Sequence, residues 1–231
     1  MTAFRVGVLN AQRGNQRTAL LKARILAAHP RVLLVSEAQD LGTIPGYDRH
    51  GATGHATPEM RDCAIYVRRL KGKGHVEILD GGCEQGSKAV PGRPVQHDRW
   101  FVWVKAEINR DRYAFISYHG NAAIQRPDGT VPDSRGATES AELFRMIGAL
   151  VTLLRSGGWT PIIGGDGNVW PCRWPYAPNN YWPTFGLDYR NDGIDGVAIN
   201  RRALRFVWLK SLFAPGVDKP HRFILAKIHT R

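Results

Sequence analysis

The residues best suited to acid–base and metal chemistry are Asp166 and Asn168, which follow a short apolar segment. Residues 161–163 have the composition of a buried strand, which Gly164-Gly165 interrupts. In an extended chain, residues two apart point the same way, so the carboxylate and the carboxamide can face one small volume. The carboxylate can accept a proton or hold a water, and the amide can donate hydrogen bonds to an anion. An ordinary Asp/Gly/Asn turn is the alternative interpretation.

Further polar residues of complementary chemistry lie at or near the edges of apolar segments. Each one alone has an ordinary explanation, such as a helix cap, a surface histidine or a turn residue. Their shared position predicts a single site, because ligands of α/β proteins usually bind where strands end. These residues are Asn10, Glu37, His119, Asp195 and His221.

The segments that must position these residues alternate between strand and helix patterns. A strand over 4–10, an amphipathic helix over 16–29 and a strand over 32–35 form a βαβ-like opening. A second helix is predicted with Thr138 as its N-cap and Gly157-Gly158 as its end. Further strands are predicted over residues 64–67, 76–79, 100–108, 113–118, 194–199, 204–209 and 223–228.

Three segments have loop composition. Residues 42–58 are rich in Gly, His and Pro around one short strand, and residues 81–98 are predicted to be an exposed connection. Residues 120–137 form a long loop, a class of segment that is often functional. Many strands with two good helices predict one α/β domain over residues 1–231, with two sheets packed face to face.

The bulk composition favours a polyanionic partner. Lys and Arg total 32 against 20 Asp and Glu, which gives a formal net charge of +12. Nucleic acid is the first interpretation and an anionic membrane surface the second, although charge can also simply maintain solubility. The three cysteines have no metal-binding spacing. With no signal-peptide or membrane-spanning pattern, we expect a cytoplasmic protein with no membrane partner and no evident obligate protein partner.

The order of the polar motifs resembles that of the endonuclease/exonuclease/phosphatase superfamily. The resemblance runs from Phe4 to Ile228, and Gly-Asp-x-Asn and the Glu after the second strand are its most specific marks. It implies a four-layer α/β sandwich, with two mostly antiparallel sheets face to face and helices outside. The motifs are Asn10, Ser36-Glu37, Tyr118-His119, Gly165-Asp166-Gly167-Asn168, Gly193-Ile194-Asp195 and Pro220-His221.

The resemblance also implies a role for each site residue in phosphodiester hydrolysis. Glu37 would be the metal carboxylate for Mg²⁺, with Mn²⁺ as an alternative, and Asn10 would help to hold metal or phosphate. Asp166 would align the attacking water, and Asn168 would orient the phosphate. The remaining roles are those of His221, held by Asp195 as an acid/base or charge-stabilising group, and His119, near the leaving group.

One position departs from the family pattern. The superfamily usually has an Asp directly before its final His, and here that position is Pro220. Asp218 could replace the missing carboxylate only if the loop bulges. The departure concerns the metal and water region, and it leaves the Asp195–His221 pair intact.

Three functions remain open from the sequence. The first is a metal-dependent nuclease, with DNA favoured over RNA, in which Trp170, Arg173 and Arg190 of an aromatic segment contact the substrate. Equally, these aromatic residues could simply pack the segment onto a sheet. The second is a phosphatase or phosphodiesterase acting on small or lipid phosphates. The third is a nucleic-acid binder whose catalysis is impaired by Pro220.

Overall fold

Short apolar and β-branched segments form twelve strands in two six-stranded sheets. The computed structural model describes residues 3–52, 56–72, 74–87, 99–122 and 124–231. Parallel pairing occurs between β1 and β2 and between β7 and β8, and the other paired strands are antiparallel. In spatial order, the first sheet is β11 (Leu204–Leu212), β12 (Phe223–Thr230), β1 (Ala3–Asn10), β2 (Val32–Ser36), β4 (Ala64–Arg68), β3 (Tyr47–His50). The second is β5 (Val76–Ser87), β6 (Arg99–Ile108), β7 (Asp111–His119), β8 (Thr160–Asp166), β10 (Asp195–Asn200), β9 (Leu187–Asp192).

Three apolar clusters separate four layers. The central cluster lies between the sheets and includes Val8 and Leu34 from the first sheet with Phe115 from the second. Helix α1 (Thr18–Ala28) buries Leu21 and Ile25 in a cluster on the outer side of the first sheet. Helix α2 (Arg135–Ser156) packs its apolar stripe on the outer side of the second sheet. The predicted four-layer sandwich with mostly antiparallel sheets is therefore confirmed.

The beginning of α2 differs from the sequence prediction. The N-cap is Ser134, whose Oγ accepts a hydrogen bond from the backbone N of Ala137 at 3.3 Å. Thr138 lies inside the helix, and its hydroxyl donates back to the carbonyl of Ser134 at 3.1 Å. The N-cap prediction was wrong because Ser134 has the extended backbone that a cap requires, and it precedes Thr138 in the chain.

The expected connection at residues 81–98 is also wrong in its first part. Strand β5 continues to Ser87 and pairs with β6, with register shifts at Ile78/Asp80 and Gln85/Ser87. A polar, Gly-rich segment can form an edge strand because only one neighbour must supply its hydrogen bonds. Residues 88–98 lie outside the described part of the chain.

The aromatic segment around residue 180 contains regular structure rather than loop alone. It includes the short helix α3 (Pro178–Thr184) and the strand β9. Trp182 is fully buried, with ring centroids 5.8 Å from Tyr118 and 5.6 Å from Phe144. Most of the aromatic cluster therefore packs against α2 and the second sheet. Of the two interpretations of this segment, packing onto a sheet and contact with the substrate, this arrangement supports packing. Trp170 is the exception, because 51% of its surface is exposed.

Glycine allows the two sheets to approach closely near the ends of β1 and β8. A Cβ on Gly164 would lie 2.6 Å from Cγ2 of Val8 and 2.8 Å from Cδ1 of Leu34. These contacts are shorter than real Cβ contacts, and both neighbours belong to the central cluster. A side chain at this position would separate the sheets next to the polar residues that follow them.

Among the residues that the structure describes, no helix combines the length and hydrophobicity that crossing a bilayer requires.

We predict that Gly164→Ala destabilises the fold by about 1–3 kcal/mol, because the added methyl overpacks the central cluster. Urea unfolding followed by circular dichroism measures the change. Gly157→Ala is the matched control, since it has a negative φ and its added Cβ would meet no atom closer than 3.3 Å. Equal stabilities of the two variants would contradict the close approach of the sheets.

Candidate active site

Asn10 connects the two sheets at the end of β1. Its side chain is fully buried, and Nδ2 donates to Oε1 of Glu37 and to Oδ2 of Asp166, both at 2.9 Å. Its Oδ1 accepts a hydrogen bond from the backbone N of Gln12 at 2.9 Å. Every polar atom of the amide is thus used, and the two carboxylates are held on either side of it.

Glu37 follows β2 and extends its side chain toward the same point. Its backbone has a left-handed φ of 51°, which ends the strand abruptly. Oε2 accepts a hydrogen bond from the backbone N of Arg13 at 2.8 Å, and Oε1 accepts from Asn10. Its side chain is 24% exposed, so this carboxylate can reach solvent or a ligand.

Asp166 and Asn168 form a tight turn at the end of β8. Asp166 is fully buried, and its Oδ1 accepts a hydrogen bond from the backbone N of Asn168 at 2.7 Å. Asn168 has a φ of 52°, so it is not in the extended conformation assumed from the sequence. Its Nδ2 donates to the carbonyl of Gly120 at 2.9 Å. Asp166 and Asn168 therefore form the Asp/Gly/Asn turn that was the alternative interpretation, and their site role stays a prediction.

Asp195 and His221 form a carboxylate–histidine pair beside Asp166. Antiparallel pairing places Asp195 opposite Asp166, and Nδ1 of His221 lies 3.1 Å from Oδ2 of Asp195. Burial raises the pKa of Asp195 to about 6; the hydrogen bond from His221 opposes this rise, and the charge of Asp166 adds to it. Burial lowers the pKa of His221, but the hydrogen bond to Asp195 and the nearby carboxylates outweigh it and raise the pKa above its ordinary value.

A second carboxylate–histidine pair, Asp62 with His119, was missed by the sequence reasoning. Nδ1 of His119 lies 2.6 Å from Oδ2 of Asp62, and both side chains are buried. Burial opposes charging of both groups, yet their mutual attraction and hydrogen bond raise the pKa of His119 and lower that of Asp62. A signal was present, because Asp62 closely precedes β4, and antiparallel pairing puts the start of β4 beside the end of β2.

Arg99 is a further site residue that the sequence reasoning did not identify. Its Nη1 lies 3.7 Å from Oδ2 of Asp62, and its Nε donates to Oδ1 of Asn121 at 2.6 Å. The guanidinium therefore adds a positive charge to the Asp62–His119 pair from the first residue of β6. Residues 81–98, which precede Arg99, are predicted from the sequence to be an exposed connection. The contacts of Arg99 could therefore not be inferred from the sequence.

The two pairs flank Asp166 and open into a cavity of about 320 Å³. Nε2 of His119 lies 3.7 Å from Oδ2 of Asp166, and Nδ1 of His221 lies 3.6 Å from the same oxygen. Asn168 also lines an adjoining cavity of about 470 Å³. The first cavity is lined by Arg13, Glu37, Gln39, Pro58, Glu59, Asp62, Arg99, His119, Ala122, Asn168 and His221.

The donor groups fit a divalent metal ion. Two overlapping groups have ligand atoms within 4.8 Å of one another: Glu37, His119 and Asp166, and Asp166, Asp195 and His221. Oδ1 of Asp195 is a buried acceptor with no hydrogen-bond partner among the described residues. Carboxylate oxygens are the ligands that hard divalent cations prefer, so the oxygen-rich side of the site suits such an ion.

Asp218 does not take the place of the carboxylate missing at Pro220. Its Oδ2 accepts a hydrogen bond from Nε2 of Gln12, and its backbone N donates to Oε1 of Gln12, both at 2.6 Å. Asp218 is exposed, and it belongs to neither potential metal-binding group of the described residues. Asp218 instead binds Gln12 and so holds the segment after β1 against the loop before β12.

The three residues predicted to contact substrate lie at different distances from the cavities. Trp170 lines the adjoining cavity next to Asn168, and its backbone N donates to Oε1 of Gln125 at 2.9 Å. Arg190 lies on β9, where its guanidinium stacks 4.8 Å from the ring centroid of Phe206 and pairs with Asp188 at 3.7 Å. Arg173 is exposed and lines neither cavity. The structure therefore brings only Trp170 to the site.

Comparison with known proteins finds similarity at the level of structure. No family model and no curated protein matches the sequence. An endonuclease/exonuclease/phosphatase family protein from Bacteroides thetaiotaomicron has a TM-score of 0.74 at 15% identity, covering 98% of this chain and 97% of that one. A mannosyl-6-phosphatase from the same species has a TM-score of 0.69 at 14% identity, covering 99% of both chains. D. rerio TDP2 complexed with a single-strand DNA product has a TM-score of 0.61 at 12% identity, covering 100% of both chains.

We predict that Asp62→Asn lowers the pKa of His119, because it removes the carboxylate charge that favours the imidazolium. An NMR titration of the histidine rings in chelator measures the shift. Asp133→Asn, in the loop before α2, is the control and should leave the His119 ring unchanged. An unchanged His119 pKa in Asp62→Asn would contradict the pairing.

The same substitution should change stability in a defined pH window. Asp62 has a folded pKa below its ordinary 3.8, so its contribution is present above 3.8 and is lost as pH falls through the folded value. His119 has a folded pKa above its ordinary 6.5, so its contribution is present below 6.5 and is lost as pH rises through the folded value. The stability difference between wild type and Asp62→Asn should therefore be largest between these two ordinary values, as thermal unfolding across pH would measure.

The fold agrees with that of the family that the sequence motifs suggested. Two six-stranded sheets with helices outside match the solved structures over nearly the whole of each chain. The motif residues Asn10, Glu37, His119, Asp166 and His221 meet at one edge of both sheets. This chain has the fold of the endonuclease/exonuclease/phosphatase proteins.

Proposed function

We propose that this protein is a metal-dependent phosphodiesterase that cleaves nucleic acid, with DNA favoured over RNA. The observation that carries the proposal is the pair of carboxylate–histidine couples, Asp62–His119 and Asp195–His221, on either side of Asp166. Proton transfer at both the attacking and the leaving oxygen requires two positioned groups, and this arrangement supplies them.

Each histidine is oriented by a carboxylate that lies within hydrogen-bond distance of its Nδ1. Asp62 holds Nδ1 of His119, which leaves Nε2 directed toward Glu37 and Asp166 at 3.8 and 3.7 Å. Asp195 holds Nδ1 of His221, which leaves the opposite ring nitrogen available to a ligand in the cavity. Raised pKa values keep both rings able to donate a proton near neutral pH.

The other proposed roles follow from the hydrogen bonds. Asp166 lies between the two imidazoles and would align the attacking water. Asn168 lines the cavity and would orient the phosphate with the amide hydrogen that Gly120 does not use. Arg99, at the cavity wall, would stabilise negative charge on the phosphate.

Glu37 is the residue that we propose as the main metal ligand, with Asn10 holding it in place. A bound Mg²⁺ or Mn²⁺ would supply Lewis-acid stabilisation of charge on the phosphate oxygens. Glu37 is the carboxylate of the cluster with a solvent-accessible side chain, and Asp166 offers a second oxygen beside it. Asn10 fixes the spacing of these carboxylates through its two hydrogen bonds.

The surroundings of the site favour a nucleic acid as substrate. The chain has a formal charge of +12. Arg13 and Arg99 line the cavity of about 320 Å³ beside the two histidines, called the reaction cavity from here on, and Arg126 lines the adjoining one. Trp170 provides an exposed indole in the adjoining cavity, where it can stack on a base. D. rerio TDP2, which has a similar fold, was solved with a single-strand DNA product.

Hydrolysis of a small phosphate is the second candidate. The reaction cavity of about 320 Å³ can hold a small molecule, and a mannosyl-6-phosphatase has a similar fold. A third candidate is a nucleic-acid binder with impaired catalysis, which Pro220 and the engagement of Asp218 with Gln12 favour. Phosphate release from sugar, inositol and nucleoside phosphates tests the second, and salt-sensitive DNA binding without metal-stimulated turnover would support the third.

We predict that Glu37→Gln and His221→Ala each reduce metal-dependent cleavage by roughly 10²–10⁴-fold, the usual contribution of such groups. The assay uses supercoiled, linear and abasic-site DNA and RNA, each with Mg²⁺, Mn²⁺ or chelator. Nicking of the closed circle would show internal cleavage.

Matched controls separate the site from general effects on charge and folding. Glu142→Gln, on the exposed side of α2, and His75→Ala, before β5, remove the same groups outside the cavities and should retain full activity. Full cleavage by both Glu37→Gln and His221→Ala would reject the nuclease proposal.

We predict that Trp170→Ala weakens the interaction with an oligonucleotide but not with a small phosphodiester. Stacking on one base contributes about 1–3 kcal/mol, so KM for an oligonucleotide should rise roughly 5- to 100-fold. Hydrolysis of bis(4-nitrophenyl) phosphate should be nearly unchanged, because this substrate carries no nucleobase. Phe213→Ala, which removes another exposed aromatic ring, is the control, and an equal effect of both variants on the oligonucleotide would contradict the stacking role.

A further inference from the structure

A third cavity, with positively charged walls, lies at the opposite end of the first sheet. Its volume is about 370 Å³, and its charged lining comes from Arg5, Arg31, Arg68 and Lys227. Arg5 lies five residues before Asn10 on β1, which corresponds to about 17 Å of extended strand. This cavity is therefore separate from the reaction cavity, which His119 and His221 line.

The positive residues around this cavity face one another in pairs. Arg5 and Lys227 are directly opposite on neighbouring strands β1 and β12. The backbone N of Arg68 donates to the carbonyl of Arg31 at 2.9 Å, which brings these two residues side by side. Like charges directly opposite on paired strands destabilise a sheet. The fold thus concentrates four positive charges where each repels its neighbour.

No acidic side chain of the described residues lines the cavity. Asp48, which is near in the fold, forms its ion pair with Arg69 at 3.2 Å. Asp111 accepts a hydrogen bond from the hydroxyl of Tyr113 at 3.3 Å. Burial and the charge of Arg68 lower the pKa of Arg31, and Tyr113 only partly offsets this effect. The repulsion is therefore not relieved by the described part of the protein.

Two of the guanidinium groups lie against the backbone, one through a hydrogen bond and one through packing. Nη1 of Arg5 donates to the carbonyl of Ala28 at the end of α1, at 2.9 Å. The guanidinium of Arg31 packs against Gly74, where a Cβ would lie only 2.6 Å from Nη2. Groups fixed in this way lose less conformational entropy when a ligand binds.

We propose that this cavity is a binding site for a ligand with adjacent phosphate groups. Arginine binds phosphate through paired hydrogen bonds in a planar fork, and three of the four positive side chains are arginine. A single monoanion would offset part of the charge, whereas neighbouring phosphates match the four cations. The ligand is either a free oligophosphate or a stretch of nucleic-acid backbone, which share this chemistry. The inference does not depend on the proposed catalysis.

The test is calorimetric titration of the whole chain with inorganic triphosphate at low ionic strength in chelator. Arg31→Gln combined with Arg68→Gln should weaken binding at least about tenfold, because it removes charge-assisted hydrogen bonds. Lys22→Gln combined with Arg24→Gln removes the same net charge from α1 outside the cavity and should bind within about twofold of wild type.

A milder variant and a second measurement guard against misfolding. Lys227→Gln should weaken binding a few-fold, and triphosphate should raise Tm of wild type and of the α1 control more than that of the Arg31/Arg68 variant. Metal-dependent hydrolysis of a small phosphodiester should be the same in the Arg31/Arg68 variant and in wild type. This last arm separates failure of the second site from failure of the proposed function.

Competition identifies the source of the phosphates. Displacement of triphosphate by a short single-stranded oligonucleotide would assign the site to the nucleic-acid backbone, and retention would assign it to free oligophosphates. Absence of triphosphate binding to wild type, or equal binding by the Arg31/Arg68 variant and the α1 control, would overturn the proposal.

Discussion

The candidate site depends on one buried amide, that of Asn10, which joins the two sheets at the edge where the motif residues meet. Its Nδ2 donates to Glu37 in the first sheet and to Asp166 in the second, each at 2.9 Å. A carboxylate buried without a hydrogen bond or counter-charge would be costly, so the amide makes it possible for both acids to lie close together. Gly164, two residues before Asp166, also permits this arrangement, because the absence of a side chain lets the sheets approach each other just before their strands end. The spacing of Glu37 and Asp166 is therefore a property of the contact between the sheets rather than of any single loop.

Charge is separated along the sheets. Carboxylates gather where β1 and β8 end, and each of the two histidines there is held by a buried aspartate, Asp62 or Asp195. Arginine and lysine side chains gather around the start of β1, where no described acidic residue enters the cavity. An overall charge of +12 conceals this division, since it reports the excess of basic residues and not their location. The negative end offers carboxylate oxygens to a divalent cation, and the positive end is the site that we propose for phosphate groups.

The residue before His221 departs from the family pattern without disturbing the pair that His221 forms with Asp195. With Pro220 at that position, no carboxylate is available there, and the exposed Asp218 fastens Gln12 instead of entering the cluster. The pair of His221 with Asp195 keeps its geometry, because Asp195 belongs to the buried strand β10 and not to the loop. The carboxylates of the two potential metal-binding groups are therefore those of Glu37, Asp166 and Asp195.

The sequence by itself determined most of the strands, the two long helices and the strand-end positions of the motif residues. These follow from local hydrophobic period and from turn residues, which act over a few positions of the chain. The four layers were expected from the family resemblance, and the strand β9 was not predicted. The sequence did not determine the extension of β5 to Ser87 or the partners of His119, because each depends on a neighbour that is distant in sequence. The cap at Ser134 is a local contact with Ala137, but the sequence offers several residues that can cap a helix there, and the backbone conformation selects among them. Asp62 is 57 residues from His119, and only the antiparallel pairing of β4 with β2 brings it to the site. Local pattern thus specifies which groups are available, and the packing of the two sheets decides which of them meet.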